Sequence, residues 1–206
     1  MALDLKIICI FAAGAGVVSH LGWFIRGEHD LYARSYLLGW LGLQAAAFFF
    51  LTRIANYSYL SALIPLNFVS LSYLSALSAS IITYRIFFHR LRSFPGPFSW
   101  KVSKLVQVGV NSDAKGYLHL DKLHQRYGNF VRIGPNEIST IDTAATQLVL
   151  GPGTKCRKAI WYDVGQPLVS MHQCRDKKLH DVRRRTWDKG FNSKCGCPAE
   201  LLRSCC

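Results

Sequence analysis

Three apolar runs, roughly Leu5 to Ile25, Tyr36 to Leu51 and Tyr57 to Phe88, constrain this chain before anything else does. A helix that crosses the hydrocarbon core of a bilayer takes about 20 mostly apolar residues. The first run meets that length, with His20 near one end. The second is short but extends back through Leu31 and Tyr32, and the third is long enough to span with Pro65 near its start. Phe48-Phe49-Phe50 directly after Ala45-Ala46-Ala47 leaves little polar face for water. The runs therefore read as membrane helices rather than as a buried soluble core. A cleavable signal peptide fits poorly, because the apolar segments recur and the opening charges of Asp4 and Lys6 cancel.

Charge is as uneven as hydropathy. Residues 1–88 hold five of the 25 Lys and Arg, so most of the +13 net charge lies behind the apolar region. Arg85, Arg90, Arg92, Lys101 and Lys104 close the third run, which places that end in the cytosol. Three passes then put the N-terminus and the loop near Arg53 in the lumen, and the loop with Arg26 and Arg34 in the cytosol. Trp23, Trp40, Tyr57 and Tyr84 fall near the expected interfaces, where amphipathic rings belong. A basic excess beside an apolar segment points to an anionic membrane face or an acidic partner protein. No helix-turn-helix, zinc-finger or aromatic RNA-binding pattern supports nucleic acid.

Seven cysteines give no even framework. Cys9, Cys156 and Cys174 are scattered, whereas Cys195, Cys197, Cys205 and Cys206 crowd the end in a C-x-C and C-C arrangement unlike a zinc-binding C-x2-C pair. They read as reduced thiols, with a metal-binding tail as the last-ranked alternative.

Behind the apolar runs, Phe94-Pro95-Gly96-Pro97 stops the emerging helix and turns the chain, since proline fixes φ and lacks a donor. Leu118, Leu120 and Leu123 then mark a helix that Tyr127-Gly128 ends, with Gly128 suited to a left-handed cap. Phe130, Val131 and Ile133 read as a strand, Gly134-Pro135-Asn136 as a turn, and Ile138, Thr140 and Ile141 as the returning strand. Thr143 to Leu150 reads as a short helix capped by Asp142 or Thr143 and stopped by Gly151-Pro152-Gly153. Residues 154–173 show no clean period. Asp176 to Phe191 reads as a helix capped by Asp176 and ended by Gly190. Its His180, Arg183, Arg184 and Trp187 fall at i, i+3, i+4 and i+7, so one face carries an imidazole, two guanidiniums and an indole. Arg forks bind carboxylates bidentately, so this face suits a flat anionic group; a solvated basic face is the plainer alternative.

The stretch HQRYGNFVRIGPNEISTID, together with the Phe94-Pro95-Gly96-Pro97 hinge, resembles the N-terminal part of a membrane-bound, fungal-type cytochrome P-450. The resemblance covers about Leu91 to Asn192, behind an anchor of compatible type. It implies about three transmembrane α-helices followed by an incomplete, mainly α (α+β) fold with a small β-hairpin. The expected divisions are residues 1–90 as anchor, 91–100 as hinge, 101–192 as the first part of the catalytic domain and 193–206 as an unmatched Cys-rich tail. In this family the corresponding basic helix carries His-x-x-x-Arg or Trp-x-x-x-Arg upstream of a Phe, and both residues reach a haem propionate. His180, Arg184 and Phe191 match that spacing, so the propionate role passes to His180 and Arg184. Lys177, Lys178, Arg183 and Arg185 would face an NADPH-cytochrome reductase, and residues 154–173 would help line a pocket for a small organic substrate.

The departures carry equal weight. After Asn192 there is neither an [AG]-G-x-[DE]-T helix nor a Phe-x-x-Gly-x-Arg-x-Cys-x-Gly loop to supply the thiolate that binds iron. Glu200-Leu201-Leu202-Arg203 fits the family's Glu-x-x-Arg pattern but follows too soon. The expectation is a piece of a haem-thiolate monooxygenase in the endoplasmic reticulum membrane, inactive by itself. The competing reading is a non-enzymatic three-pass membrane protein whose basic cytosolic tail binds lipid or a partner. Reading the coding DNA downstream of residue 206 in all frames for a haem-ligand loop separates the two. The topology has its own test: protease added to intact microsomes should cut behind Arg92, and protection there would reverse the assignment.

Overall fold

The computed structural model describes residues 2–27, 29–151, 154–167 and 169–191. The chain divides into two compact units, one of residues 1–27 and 35–155, the other of residues 28–34 and 156–206.

The first unit begins with three long helices, α1 (Ala2–Ser19), α2 (Ala33–Phe49) and α3 (Tyr59–Thr83). Each continues into a wider π-type turn, at His20–Phe24, Phe50–Ile54 and Tyr84–Phe88. Counting those turns, the stretches long and apolar enough to cross a membrane are Asp4–Phe24, Ala33–Ile54 and Tyr59–Phe88. The second is thus 22 residues long and runs past Arg53, which removes the apparent shortness of that run. Phe11 and Leu60 are 74% and 76% exposed. An apolar surface so continuous is foreign to water and native to lipid, where helices satisfy their own backbone groups.

The helices run up, down and up. Ser19 pairs with Tyr73 (Oη to Oγ, 3.1 Å) and His20 with Ser80 (Nδ1 to Oγ, 2.8 Å), so α1 and α3 are parallel. They approach closely at Gly16, where a Cβ would sit 2.5 Å from the Tyr73 carbonyl oxygen. Small residues at such crossings let helix backbones meet. α2 runs antiparallel and attaches through side chains: Trp40 stacks on Tyr73 at 5.3 Å, and Phe48 on Tyr59 at 6.2 Å. Asn56 turns the chain between α2 and α3 with φ 55°, and Ser58 caps α3 by accepting from the Ser61 amide.

Beyond α3 come α4 (Phe98–Val102), α5 (Leu105–Val110), α6 (Gly116–Tyr127), β1 (Phe130–Gly134), β2 (Glu137–Thr140) and α7 (Thr143–Leu150). The strands form an antiparallel hairpin in the register Phe130↔Thr140, Val131↔Ser139 and Arg132↔Ile138, with an irregularity before Gly134↔Glu137. Ile141 lies one residue past β2, yet its amide still bonds to the Asn129 carbonyl at 3.2 Å. Gly128 has positive φ (92°), but its ψ of −163° lies outside the left-handed helical cap expected there. Of the two caps considered for α7, Asp142 does the work, its Oδ1 accepting from the Ala144 amide at 2.9 Å. His124 fastens α6 to the hairpin. Its Nδ1 lies 2.9 Å from the Gly128 carbonyl, and so carries the proton, which leaves Nε2 to accept from the Ser139 hydroxyl at 2.8 Å.

The hairpin's centre is Arg132, which is fully buried. Its guanidinium donates to the carbonyls of Gly134 (3.2 Å), Pro135 (2.7 Å) and Arg85 (3.2 Å). Its own amide donates to Pro95 at 2.8 Å. A Cβ on Gly96 would lie 2.4 Å from the Arg132 carbonyl oxygen, and Gly96 has φ 154°, so only glycine fits there. The hinge is therefore clamped along β1, and Arg132 ties hinge, hairpin turn and the end of the third apolar helix together. Burial, followed by the Arg85 charge, lowers the Arg132 pKa from the ordinary guanidinium value.

The second unit holds a 3-10 turn at Asp30–Tyr32, which lies against a second such turn at Ile160–Gly165, and α8 (Lys177–Phe191). Arg175 ion-pairs with Asp163 and donates Nε to the Lys158 carbonyl at 2.9 Å, which binds the turn to the segment entering α8.

Two outcomes follow from this packing. Arg132→Met should leave three carbonyls without their donor, at about 1–3 kcal/mol for each group left buried and unpaired; trypsin cleavage at Lys122 and Arg126 in microsomes should accelerate several-fold, and an unchanged digest would refute the clamp. Residues 94–192 expressed alone lose the Arg85 carbonyl and leave Ile141, Leu148 and Leu150 at least 60% exposed. A two-stranded hairpin with a few helices is marginal by itself, so calorimetry should find no cooperative melt.

Candidate functional site

α8 is built for a chemically divided surface. Asp176 accepts from the Lys178 amide at 2.8 Å and starts the helix, as expected. The helix passes through Gly190 to Phe191 instead of ending at Gly190, since a single glycine costs a helix only about 1 kcal/mol. Asn192 and the Cys-rich tail, with Cys195, Cys197, Cys205 and Cys206, lie outside the described residues.

His180 and Arg184 lie one turn apart and line one open depression of about 350 Å³ with Met171, Trp187, Asp188 and Phe191. Trp187 and Phe191 stack at 4.6 Å with ring planes 15° apart, forming a flat apolar wall. His180 Nδ1 is 3.5 Å from Asp181 Oδ1, and Arg184 Nε is 3.8 Å from Asp188 Oδ2. The Arg184 pair is 68% exposed on both sides, so water competes for it and it contributes little. Arg184 can therefore exchange that carboxylate for another. Arg183 serves a different purpose: its Nη1 donates to the Val169 carbonyl, and it lines a neighbouring depression with Thr186. The four-residue face expected from spacing is thus shared between two depressions that Trp187 and Met171 both line, His180 and Arg184 in one and Arg183, held by the loop, in the other.

Two members of the depression were not anticipated. Asp188 was open to discovery, because it sits at i+4 from Arg184, the spacing of a helical ion pair. Met171 was not, because it comes from a segment without periodicity.

The set fits a planar group with an anionic edge: two nitrogen donors at one side and two stacked rings at the other. Among the described residues no cluster of three His, Cys, Asp or Glu is placed to hold a metal ion, and Cys9 and Cys174 form no disulfide. Cys174 is buried and its thiol donates to the Asp176 carbonyl at 3.3 Å, a structural role at the start of α8.

Comparison with known proteins gives the arrangement its context. No family model and no solved structure matches the chain. The chain is 38% identical over 181 residues to a cytochrome P-450 monooxygenase of Purpureocillium lilacinum, which covers 87% of this chain and 33% of that protein. It is 35% identical over 191 residues to another of Aspergillus versicolor, covering 92% and 35%. It is 35% identical over 193 residues to tryprostatin B 6-hydroxylase of Aspergillus fumigatus, covering 90% and 34%. The chain thus spans about a third of the length of the curated relatives it matches. A match over 87% of the chain cannot omit either the apolar helices or the basic part behind them, and on that basis the chain is similar throughout to the N-terminal third of fungal cytochrome P-450 monooxygenases.

Proposed function

We propose that these residues form the membrane anchor and the first part of the catalytic domain of a haem-thiolate monooxygenase. The helices α1 to α3 hold it in the endoplasmic reticulum membrane, with the part behind α3 in the cytosol. What carries the reading is the joint match of anchor and basic part to fungal monooxygenases, with His180 and Arg184 sharing one depression.

Haem, when bound in the complete enzyme, activates O2 so that one oxygen atom enters a small organic substrate, with electrons passed from NADPH through a reductase. The task of α8 is to hold the anionic edge of that group. His180 and Arg184 would hold that edge by donating N–H groups to its carboxylates, Arg184 giving up its exposed pair with Asp188. The Trp187–Phe191 stack supplies an apolar side from which water is displaced. Lys177, Lys178 and Arg185, exposed on α8, give a cationic surface suited to an acidic reductase.

These 206 residues contain no Phe-x-x-Gly-x-Arg-x-Cys-x-Gly loop. By themselves they offer haem two charge-assisted bonds worth roughly 1.5–3 kcal/mol each, too little to order an open depression around it.

A chimera tests the reading directly. With residues 1–191 replacing the matching third of a fungal relative, the reduced, CO-bound protein should give a thiolate-type Soret band, and His180→Ala or Arg184→Ala should lower haem retention about tenfold, the factor that 1.4 kcal/mol represents. A chimera that folds in the membrane yet never gives the band would sink the proposal. The 206 residues expressed alone should give no such band; its appearance would show that a cysteine of the tail ligates iron.

A further inference from the structure

No Asp or Glu occurs between Asp30 and Asp113, whereas Arg85, Arg90, Arg92, Lys101 and Lys104 crowd the end of that interval. The fold gathers them at the end of the third apolar helix. Arg85 donates Nη1 to the Val102 carbonyl at 2.6 Å, drawing α4 onto the helix end, while Arg132 reaches the Arg85 carbonyl. His89 is buried edge-on against Tyr84, with ring centroids 5.6 Å apart, and its Nδ1 accepts from the Leu91 amide at 3.1 Å. Burial, then the charge of Arg132, pulls its pKa down; Arg90 and Arg85 add to this, and a hydrogen bond with Asn136 opposes it. The imidazole therefore brings no further charge at neutral pH.

Lys101 is half-buried; its amide donates to the Pro97 carbonyl at 3.2 Å, while among the described residues its ammonium has no hydrogen-bond or ion-pair partner. Burial, then Arg132, holds its pKa below the ordinary lysine value. The Glu137 carboxylate of the hairpin is paired with Lys104. A half-desolvated ammonium close enough to Arg132 to feel its charge is unfavourable as it stands. Phe87, Phe88 and Phe98, exposed by 59%, 72% and 66%, provide apolar surface beside it.

We infer that Lys101 and Arg90, backed by Arg85 and Arg132, bind the phosphate of an anionic phospholipid in the cytosolic leaflet. The inference rests on the reading of α1 to α3 as membrane spans. Lipid is favoured over free phosphate because the cations lie at the end of a spanning helix with exposed phenylalanines beside them, so one ligand satisfies both surfaces.

The whole chain, reconstituted into nanodiscs of phosphatidylcholine and phosphatidylserine and then extracted in mild detergent, should retain phosphatidylserine several-fold above its supplied ratio by mass spectrometry. Lys101→Gln with Arg90→Gln should abolish the enrichment, and Lys101→Arg should keep it. Arg53→Gln, which removes one charge at the opposite end of the bundle, should change nothing. Equal retention by the double variant, or an equal loss in Arg53→Gln, would overturn the site. Calorimetric binding of inorganic phosphate to the chain in pure phosphatidylcholine nanodiscs would overturn the lipid as its ligand. A chain that fails to enter nanodiscs at all would instead refute the membrane reading, so the two failures are distinguishable.

Discussion

One buried guanidinium governs the joint on which this part of the chain depends. A fully buried arginine has five N–H donors and no acceptor, so it persists only where carbonyls converge on it. Arg132 finds three of them in two separate places: Gly134 and Pro135 of the hairpin turn, and Arg85 at the end of the third long helix. None of these acceptors is a side chain. The arrangement therefore fixes backbone against backbone, and the sequence tolerates little freedom in the path from Arg85 through Pro95 to Pro135. What composition would describe as a flexible proline-glycine hinge is, by this geometry, a stiff corner.

That corner also concentrates positive charge. Arg132 lies next to Arg85, His89 and Lys101, and its charge depresses the proton affinity of the last two. Such a concentration of positive charge is unusual for a structural core and fits the anionic headgroups proposed above. On the proposed membrane reading, fold and environment are thus coupled: the same residue that holds the hinge in place raises the local potential that anionic headgroups would neutralise.

Much of this was legible in the sequence, for identifiable reasons. Long apolar runs identify themselves by length alone, and the hairpin is set by β-branched residues around Gly134-Pro135-Asn136. The pairing of His180 with Arg184 follows from helical spacing. The role of Arg132 was hidden, because a strand alternating Val131, Arg132, Ile133 reads as apolar inside and charged outside. In the structure both Val131 and Arg132 are fully buried, while Ile133 is only half-buried. The reason is that β1 is covered by α6 and by α4 with the hinge, so alternation ceases to report on solvent. His124 was equally hidden, since its two partners lie four and fifteen residues away and no local pattern links them. Gly190 misled in the opposite sense, because helix propensity is a weak prior that a single residue does not settle.

The parallel pairing of α1 with α3 has a consequence for biogenesis. α1 makes its close backbone contact at Gly16 with Tyr73 and Leu77, residues that leave the ribosome long after α1 itself has emerged. Until then the polar atoms of Ser19 and His20 have no partner from α3. On the proposed membrane reading, the first helix would therefore enter the bilayer before its partner exists, with the Ser19 hydroxyl held meanwhile by the Ala15 carbonyl of its own helix. The order of synthesis would then make α3 the helix that completes the anchor, and a chain stalled before Tyr73 would leave the first helix unassembled.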